Sequence, residues 1–195
     1  MSSGSLSRRS ALLLPLLLAA CGGEERTNFA PLRYNYLPPI RLNVGSIEIV
    51  QRFIASGVAP DVSNQAPIPP TQGLRVLAED RLQAFGTSGR AVFNILDAPL
   101  MRQGDVINGA MRVLLEIYTQ DNQRAAFAEA RVALRHSGRV ESLRGTLYDM
   151  TKSMLDDMNV EFEHQVRRNL KEWLTTPTAA STPVEQAPLG LPPTR

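Results

Sequence analysis

Few side chains in this 195-residue sequence have the chemistry to act on another molecule. Cys21 is the sole cysteine, so any thiol chemistry must be built on that one sulfur. One cysteine excludes a disulfide framework, and with only two histidines the chain is poor in ligands for a zinc or iron–sulfur site. His136 closes a predicted strand (Leu134-Arg135-His136-Ser137), and His164 lies on a predicted helix two residues beyond Phe162, aimed sideways or outward. Nothing in their spacing brings the imidazoles together. The run Asp156 to His164 (DDMNVEFEH) has the composition of a carboxylate cluster, but at helical spacing its acids spread over several faces. No Gly-x-Ser-x-Gly elbow occurs, and Gly86-Thr87-Ser88-Gly89 is too short for a phosphate loop. The sequence therefore predicts no catalytic residue, no metal site and no cofactor.

Cys21 stands apart because of what precedes it. Arg8 and Arg9 form a basic flank, and Ala11 to Ala20 (ALLLPLLLAA) is an apolar run of about ten residues. A hydrocarbon core of ~30 Å needs roughly 20 helical residues, so the run is too short to span a bilayer. Basic flank, short apolar core and small closing residues make residues 1–20 a signal peptide. Its ending, Leu18-Ala19-Ala20-Cys21, resembles the bacterial lipobox. That resemblance implies a diacylglycerol thioether on Cys21, cleavage before it and acylation of the new amine. Two or three acyl chains, at ~0.8 kcal/mol per buried methylene, anchor stably where one does not. Ser7-Arg8-Arg9-Ser10 also resembles a twin-arginine export signal. Ala11 stands where that signal usually has a large apolar residue, which favours the general secretory route. Gly22, in place of the Asp that often retains such proteins at the inner membrane, points to the outer membrane, facing the periplasm.

Cleavage also changes the charge. The whole chain carries a formal +2, but residues 1–20 hold two bases and no acid, leaving 19 bases and 19 acids. Without a basic excess, nucleic acid is not an expected partner. With 43% hydrophobic and 21% charged residues, the remainder is globular rather than disordered.

The elements are legible from their periods. Residues 21–39, rich in Gly, Pro and charge without a period, read as a lipidated tether. Residues 40–174 hold one domain. Ile40, Leu42, Val44, Ile47 and Ile49 predict a strand interrupted near Gly45, followed by a loop over 57–73. Leu74, Leu77, Ala78, Leu82 and Phe85 predict a helix ending at Gly86. Ala91, Phe93 and Ile95 alternate up to Asp97-Ala98-Pro99. Met111 to Ile117 and Ala126 to Leu134 then predict a hairpin around Gln120–Gln123. Leu147, Met150, Met154, Met158, Phe162, Val166, Leu170 and Trp173 predict a helix of ~28 residues, ~42 Å long. Thr146 and Asp149 read as its capping box. The methionines fall on the core face of that helix, which favours packing over a pliable binding surface. Residues 175–195, with five prolines and two charged side chains, read as a disordered tail. The expected fold is α+β: a two-layer sandwich with both helices on one face of a roughly four-stranded, mostly antiparallel sheet.

This layout of lipobox cysteine, tether, small α+β domain and Pro-rich tail resembles the small envelope lipoproteins of Gram-negative bacteria. Closest in layout are the auxiliary lipoproteins of ABC-type lipid transporters and the LPS-assembly lipoprotein. Ala78-Glu79-Asp80-Arg81-Leu82 followed by Ala91-Val92-Phe93-Asn94-Ile95 is similar in kind to the first group. The resemblance implies a non-enzymatic accessory subunit of an envelope transport or assembly system, held to the membrane through Cys21 and bound to a protein partner there. The alternative is a structural or binding lipoprotein unrelated to transport. In a two-layer sandwich the second sheet face meets water or a partner. On it the alternation places Arg112, Leu114, Glu116 and Tyr118 beside Phe127, Glu129, Arg131 and Arg135. Aromatics interleaved with Arg suit protein recognition, so Tyr118 and Phe127 are the expected docking residues.

Overall fold

The computed structural model describes residues 27–175. The leader, Cys21 and the tail beyond Thr175 lie outside the described residues. The chain runs through β1 (Ile40–Leu42), β2 (Ser46–Gln51), α1 (Pro70–Arg81), β3 (Leu82–Ala84), β4 (Arg90–Asp97), β5 (Leu100–Gln103), β6 (Val106–Tyr118), β7 (Arg124–Ser137) and α2 (Leu143–Asn169). β6 organises a five-stranded sheet. One of its edges pairs antiparallel with β7 along nearly its whole length; the other pairs with β5 over its first residues and with β4 from Arg112 to Tyr118. β2 adds parallel to β4, and β1 and β3 form a separate parallel pair. The fold is α+β as expected, with one more strand in the main sheet. That strand is β5, which continues β4 beyond the irregularity at Asp97-Ala98-Pro99.

Alternation decides which sheet face is buried. Ala91, Phe93, Ile95, Met111, Val113, Leu115, Ile117, Ala128 and Ala130 all lie under the helices. Phe162 of α2 meets Phe93 edge-on at 5.4 Å, and Met154 of α2 covers Gly109 of β6. Met150, Met154 and Met158 are all buried core residues. α1 lies against α2, where Gly73 makes room for Leu155.

Three local boundaries differ from expectation. α1 begins at Pro70, inside the expected loop, because the fixed φ of proline suits the first helical position. It stops at Arg81 rather than Gly86, since Leu82–Ala84 turn extended to pair with β1. Phe85 then points outward, more than half exposed beneath the Arg41 guanidinium. The cap of α2 is Ser142, whose Oγ accepts from the Gly145 N–H; Thr146 lies one turn inside and donates its hydroxyl to the Ser142 carbonyl.

The largest departure concerns the expected tether. From Phe29 onward it is not free chain but a strap in the groove between α1 and α2. Phe29 packs on Tyr148 at 5.0 Å, and the Tyr148 hydroxyl donates to the Ala30 carbonyl at 2.9 Å. Leu32 and Tyr34 are buried, and the Tyr34 hydroxyl donates to Asp156 at 2.9 Å. Asp80 of α1 accepts both Arg33 nitrogens, at 2.9 and 2.6 Å, and the Tyr34 N–H at 2.8 Å. Further on, the buried Arg81 guanidinium donates to the Pro38 carbonyl at 2.6 Å and pairs with Glu163 of α2. The strap ends in β1, beside Leu174. It therefore travels the length of α2, ~40 Å for 27 helical residues. Aperiodic sequence concealed this, because a strap seated between two helices has no repeating environment to match.

Two ends of the molecule follow from these directions. At the first lie Phe29, the start of α2, Ser137, the Gln103–Val106 turn and the loop after β2. At the second lie the Thr119–Gln123 turn, Gly86–Gly89 and the exit of the chain at Leu174 and Thr175.

Candidate functional site

The candidate site is the sheet face turned away from the helices. Register lines its side chains into rows across the strands. Ser46, Arg90, Tyr118 and Arg124 form one row; Glu48, Val92, Glu116 and Phe127 the next; Val50, Asn94, Leu114 and Glu129 the third. Arg112 faces Arg131, Ala110 faces Ala133 and Asn108 faces Arg135 toward the first end. Tyr118 and Phe127 thus share this face in adjacent rows, as the sequence requires. Each ring lies under a guanidinium: Arg90 stands 4.4 Å from the Tyr118 centroid and Arg124 5.1 Å from that of Phe127. Phe127 remains half exposed.

Most charges on the face are paired. Glu129 accepts from Arg112 at 2.5 Å and from Arg131 at 2.7 Å. The Arg112 bond holds its carboxyl below the usual range; partial burial opposes this and Arg131 adds to it. Glu116 accepts from Arg124 at 3.0 Å and from Asn94 at 3.1 Å, and the Asn94 oxygen accepts from Arg52. Two guanidiniums on one carboxylate leave the Arg112–Arg131 region positive. Beside it the facing Ala110 and Ala133 leave a shallow trough of about 530 Å³, bounded by Asp97, Pro99, Arg112 and Arg131. The trough was not anticipated; two alanines directly opposite one another were its only sequence signal. The arrangement suits a partner that lays apolar side chains against alanine and offers carboxylates to arginine.

Comparisons with known proteins add little. No family model matches this chain, and no curated protein does. Among solved structures, a minor lipoprotein of Acinetobacter baumannii is similar over 64% of this chain and 95% of its own, at 10% identity and a TM-score of 0.36. A lipoprotein of Neisseria meningitidis is similar over 58% of this chain and 96% of its own, at 11% identity and a TM-score of 0.28. Overlap at these scores is partial.

The other residues with chemical potential are dispersed. His136 sits at the end of β7 in a cleft with Thr146, Asp149 and Ser153, while His164 is exposed far along α2. The acids of Asp156 to Glu163 divide among tasks: Asp156 holds Tyr34 and Lys152, Glu161 holds Gln165, and Glu163 holds Arg81 and Arg167. Among the described residues, no three His, Cys, Asp or Glu side chains stand where they could share a metal ion. Sequence reading missed Asp61, which is buried. Its carboxylate accepts from the Ser63 N–H at 2.9 Å, the Ser63 hydroxyl at 2.5 Å and the Ser56 N–H at 2.7 Å. Ser63 in turn accepts from the Leu100 N–H at 2.8 Å, stapling the loop to β5. Asp-x-Ser after Pro60 is the turn signal that could have revealed it.

Proposed function

We propose that this chain is a non-enzymatic lipoprotein, anchored through acyl chains on Cys21 to the outer membrane and facing the periplasm. It serves as an accessory subunit of an envelope transport or assembly system. The observation that carries the reading is Leu18-Ala19-Ala20-Cys21: the only cysteine in the chain closes a signal-like apolar run. A non-enzymatic role accords with how the buried and half-buried carboxylates are used. Asp61, Asp80 and Glu163 bind loop, strap and helix to one another and do not converge on a shared cleft. The protein partner docks on the open sheet face around Tyr118 and Phe127, whose rings lie under guanidiniums and which share that face with the alanine-floored trough farther along β6 and β7.

Mass spectrometry of membrane-extracted protein tests the anchor. The expected mature chain begins at an acylated Cys21, and Cys21→Ser should leave the membrane fraction or remain unprocessed. An unmodified Cys21 overturns the reading. Crosslinking pull-downs from membranes test the docking face. Tyr118→Ala/Phe127→Ala should lose a partner that wild type recovers. Identical partners from a folded double variant remove the face from consideration.

A further inference from the structure

The first end of the molecule carries the most exposed apolar groups of any loop in the described domain. β2 ends at Gln51, and the Arg52 and Phe53 N–H groups both still reach the Ile95 carbonyl of β4. The chain then leaves the sheet until Pro60, whose carbonyl accepts from the Arg102 N–H at 2.8 Å. Asp61 returns beside Met101 as a lone antiparallel bridge, and the Val62 N–H reaches the Leu100 carbonyl. Residues 54–59 therefore rise past the end of β2 and fold back beside β5. On this loop Ile54 is 83% and Val58 69% exposed. The loop is held in shape from within: Asp61 accepts from Ser56 N–H and Oγ, and Ser56 Oγ reaches the Val58 carbonyl. A loop so tied could have turned its branched side chains inward, yet it presents them to the outside. Around the same end stand Arg102, whose Nε donates to the Gly104 carbonyl at 2.9 Å, Arg139, and Arg144, 6.0 Å from the Phe29 centroid, against Asp105 and Glu141.

The chain enters the described domain at this end too, since Phe29 packs on Tyr148 in the second turn of α2. Only five residues, six Cα-to-Cα steps, separate Cys21 from Thr27. Fully extended they reach about 20 Å, half the ~40 Å length of α2. An acylated Cys21 would therefore keep this end near the bilayer and leave the Thr119–Gln123 turn free to stand far from it.

We infer that the first end is a membrane-contact surface, in which Ile54 and Val58 enter the headgroup boundary of a lipid bilayer while Arg102, Arg139 and Arg144 face its phosphates. This rests on the anchor reading above. It sets the orientation of the domain: α2 and β6 stand away from the membrane, and the sheet face with Tyr118 and Phe127 is presented sideways. Shallow insertion of branched side chains flanked by arginines is how peripheral surfaces gain affinity without spanning a membrane.

The experiment uses the full mature protein, purified from membranes and reconstituted into phosphatidylethanolamine/phosphatidylglycerol vesicles. Single cysteines replace Ile54, Val58 or, at the opposite end, Asp121, and each takes an environment-sensitive dye. Nitroxide-bearing lipid should quench the dye at positions 54 and 58 at least twofold more than at 121. Wild type is the control for the anchor, because an acylated Cys21 offers no thiol and should take up no dye. Dye on wild-type Cys21 overturns the anchor reading. An unlabelled wild type that floats with the vesicles, combined with equal quenching at 54, 58 and 121, leaves the anchor standing and overturns the contact surface. In that case the loop faces water or a protein.

Discussion

Replacing Tyr34 by Ala distinguishes a free tether from a docked strap. If residues 27–39 hung free, the change would alter stability by no more than about 0.5 kcal/mol, as at other exposed sites. In the structure the Tyr34 ring is 3% exposed and its hydroxyl donates to Asp156. Removing a buried aromatic ring costs about 3–5 kcal/mol, and the lower end applies because a surface strap can settle into part of the gap. Loss of the hydroxyl bond adds about 1 kcal/mol, restrained because Asp156 keeps Lys152 at 2.6 Å. The sum is about 4 kcal/mol, and at 2–4 °C per kcal/mol the midpoint should fall by roughly 8–16 °C. Thermal and guanidinium unfolding, followed by circular dichroism, measure it. Two companions separate the contributions. Tyr34→Phe keeps the ring and should lose only about 1 kcal/mol. Tyr36→Ala, two positions on and 73% exposed, should stay within about 0.5 kcal/mol. Equal melts for Tyr34→Ala and Tyr36→Ala would refute the strap.

Acid sensitivity should trace to a few carboxylates. Burial works against the charge of Asp61, but hydrogen bonds from Ser63 and Ser56 outweigh it and lower its pKa. A depressed folded value contributes stability above the usual carboxylate range, lost as pH falls through that folded value. Asp80, Glu129 and Glu163 shift the same way, so denaturant midpoints should decline below about pH 4, and Asp61→Asn should make that decline shallower. Gly89→Ala should destabilise by at least about 1–2 kcal/mol, because its φ is +72° and a Cβ would lie 2.6 Å from the Tyr118 carbonyl oxygen. Gly104→Asn should be nearly neutral in the same melts, since φ there is +60°, which Asn tolerates, and the space is open. A chain ending at Thr176 should melt with the full mature chain, because the Thr175 N–H already closes on the Arg41 carbonyl.

What the sequence made legible is what repeats. β6, β7 and α2 each bury one face against a continuous neighbour, so Met111, Leu115, Met154 and Phe162 recur at the period of their element. In β4 the apolar alternation of Ala91, Phe93 and Ile95 survives although Val92 and Asn94 between them are buried too. β1 and β3, at three residues each, are too short to show a period, and Leu82 looked like the next turn of α1. The strap escaped notice for a different reason: Leu32, Tyr34, Arg33 and Pro38 each answer a separate feature of the groove. At the candidate site, Tyr118 and Phe127 were readable because alternation assigns faces. The arginines over their rings and the trough at Ala110 and Ala133 depend on cross-strand register, which only the paired strands supply.

The strap also sets an order of assembly. Its partners lie far ahead in the chain: Arg33 waits for Asp80, Ala30 for Tyr148 and Tyr34 for Asp156, the last two across 118 and 122 residues. The segment that leaves the ribosome first among the described residues is therefore among the last to find its place. Closing loops of that length costs entropy before any contact repays it, so the β6–β7 hairpin, whose partners are neighbours in sequence, can form well ahead of it. Until α2 is complete, the groove has one wall and the strap has nowhere to lie. A chain stopped short of Asp156 would be expected to hold its sheet loosely and leave Leu32 and Tyr34 exposed to any chaperone that meets it.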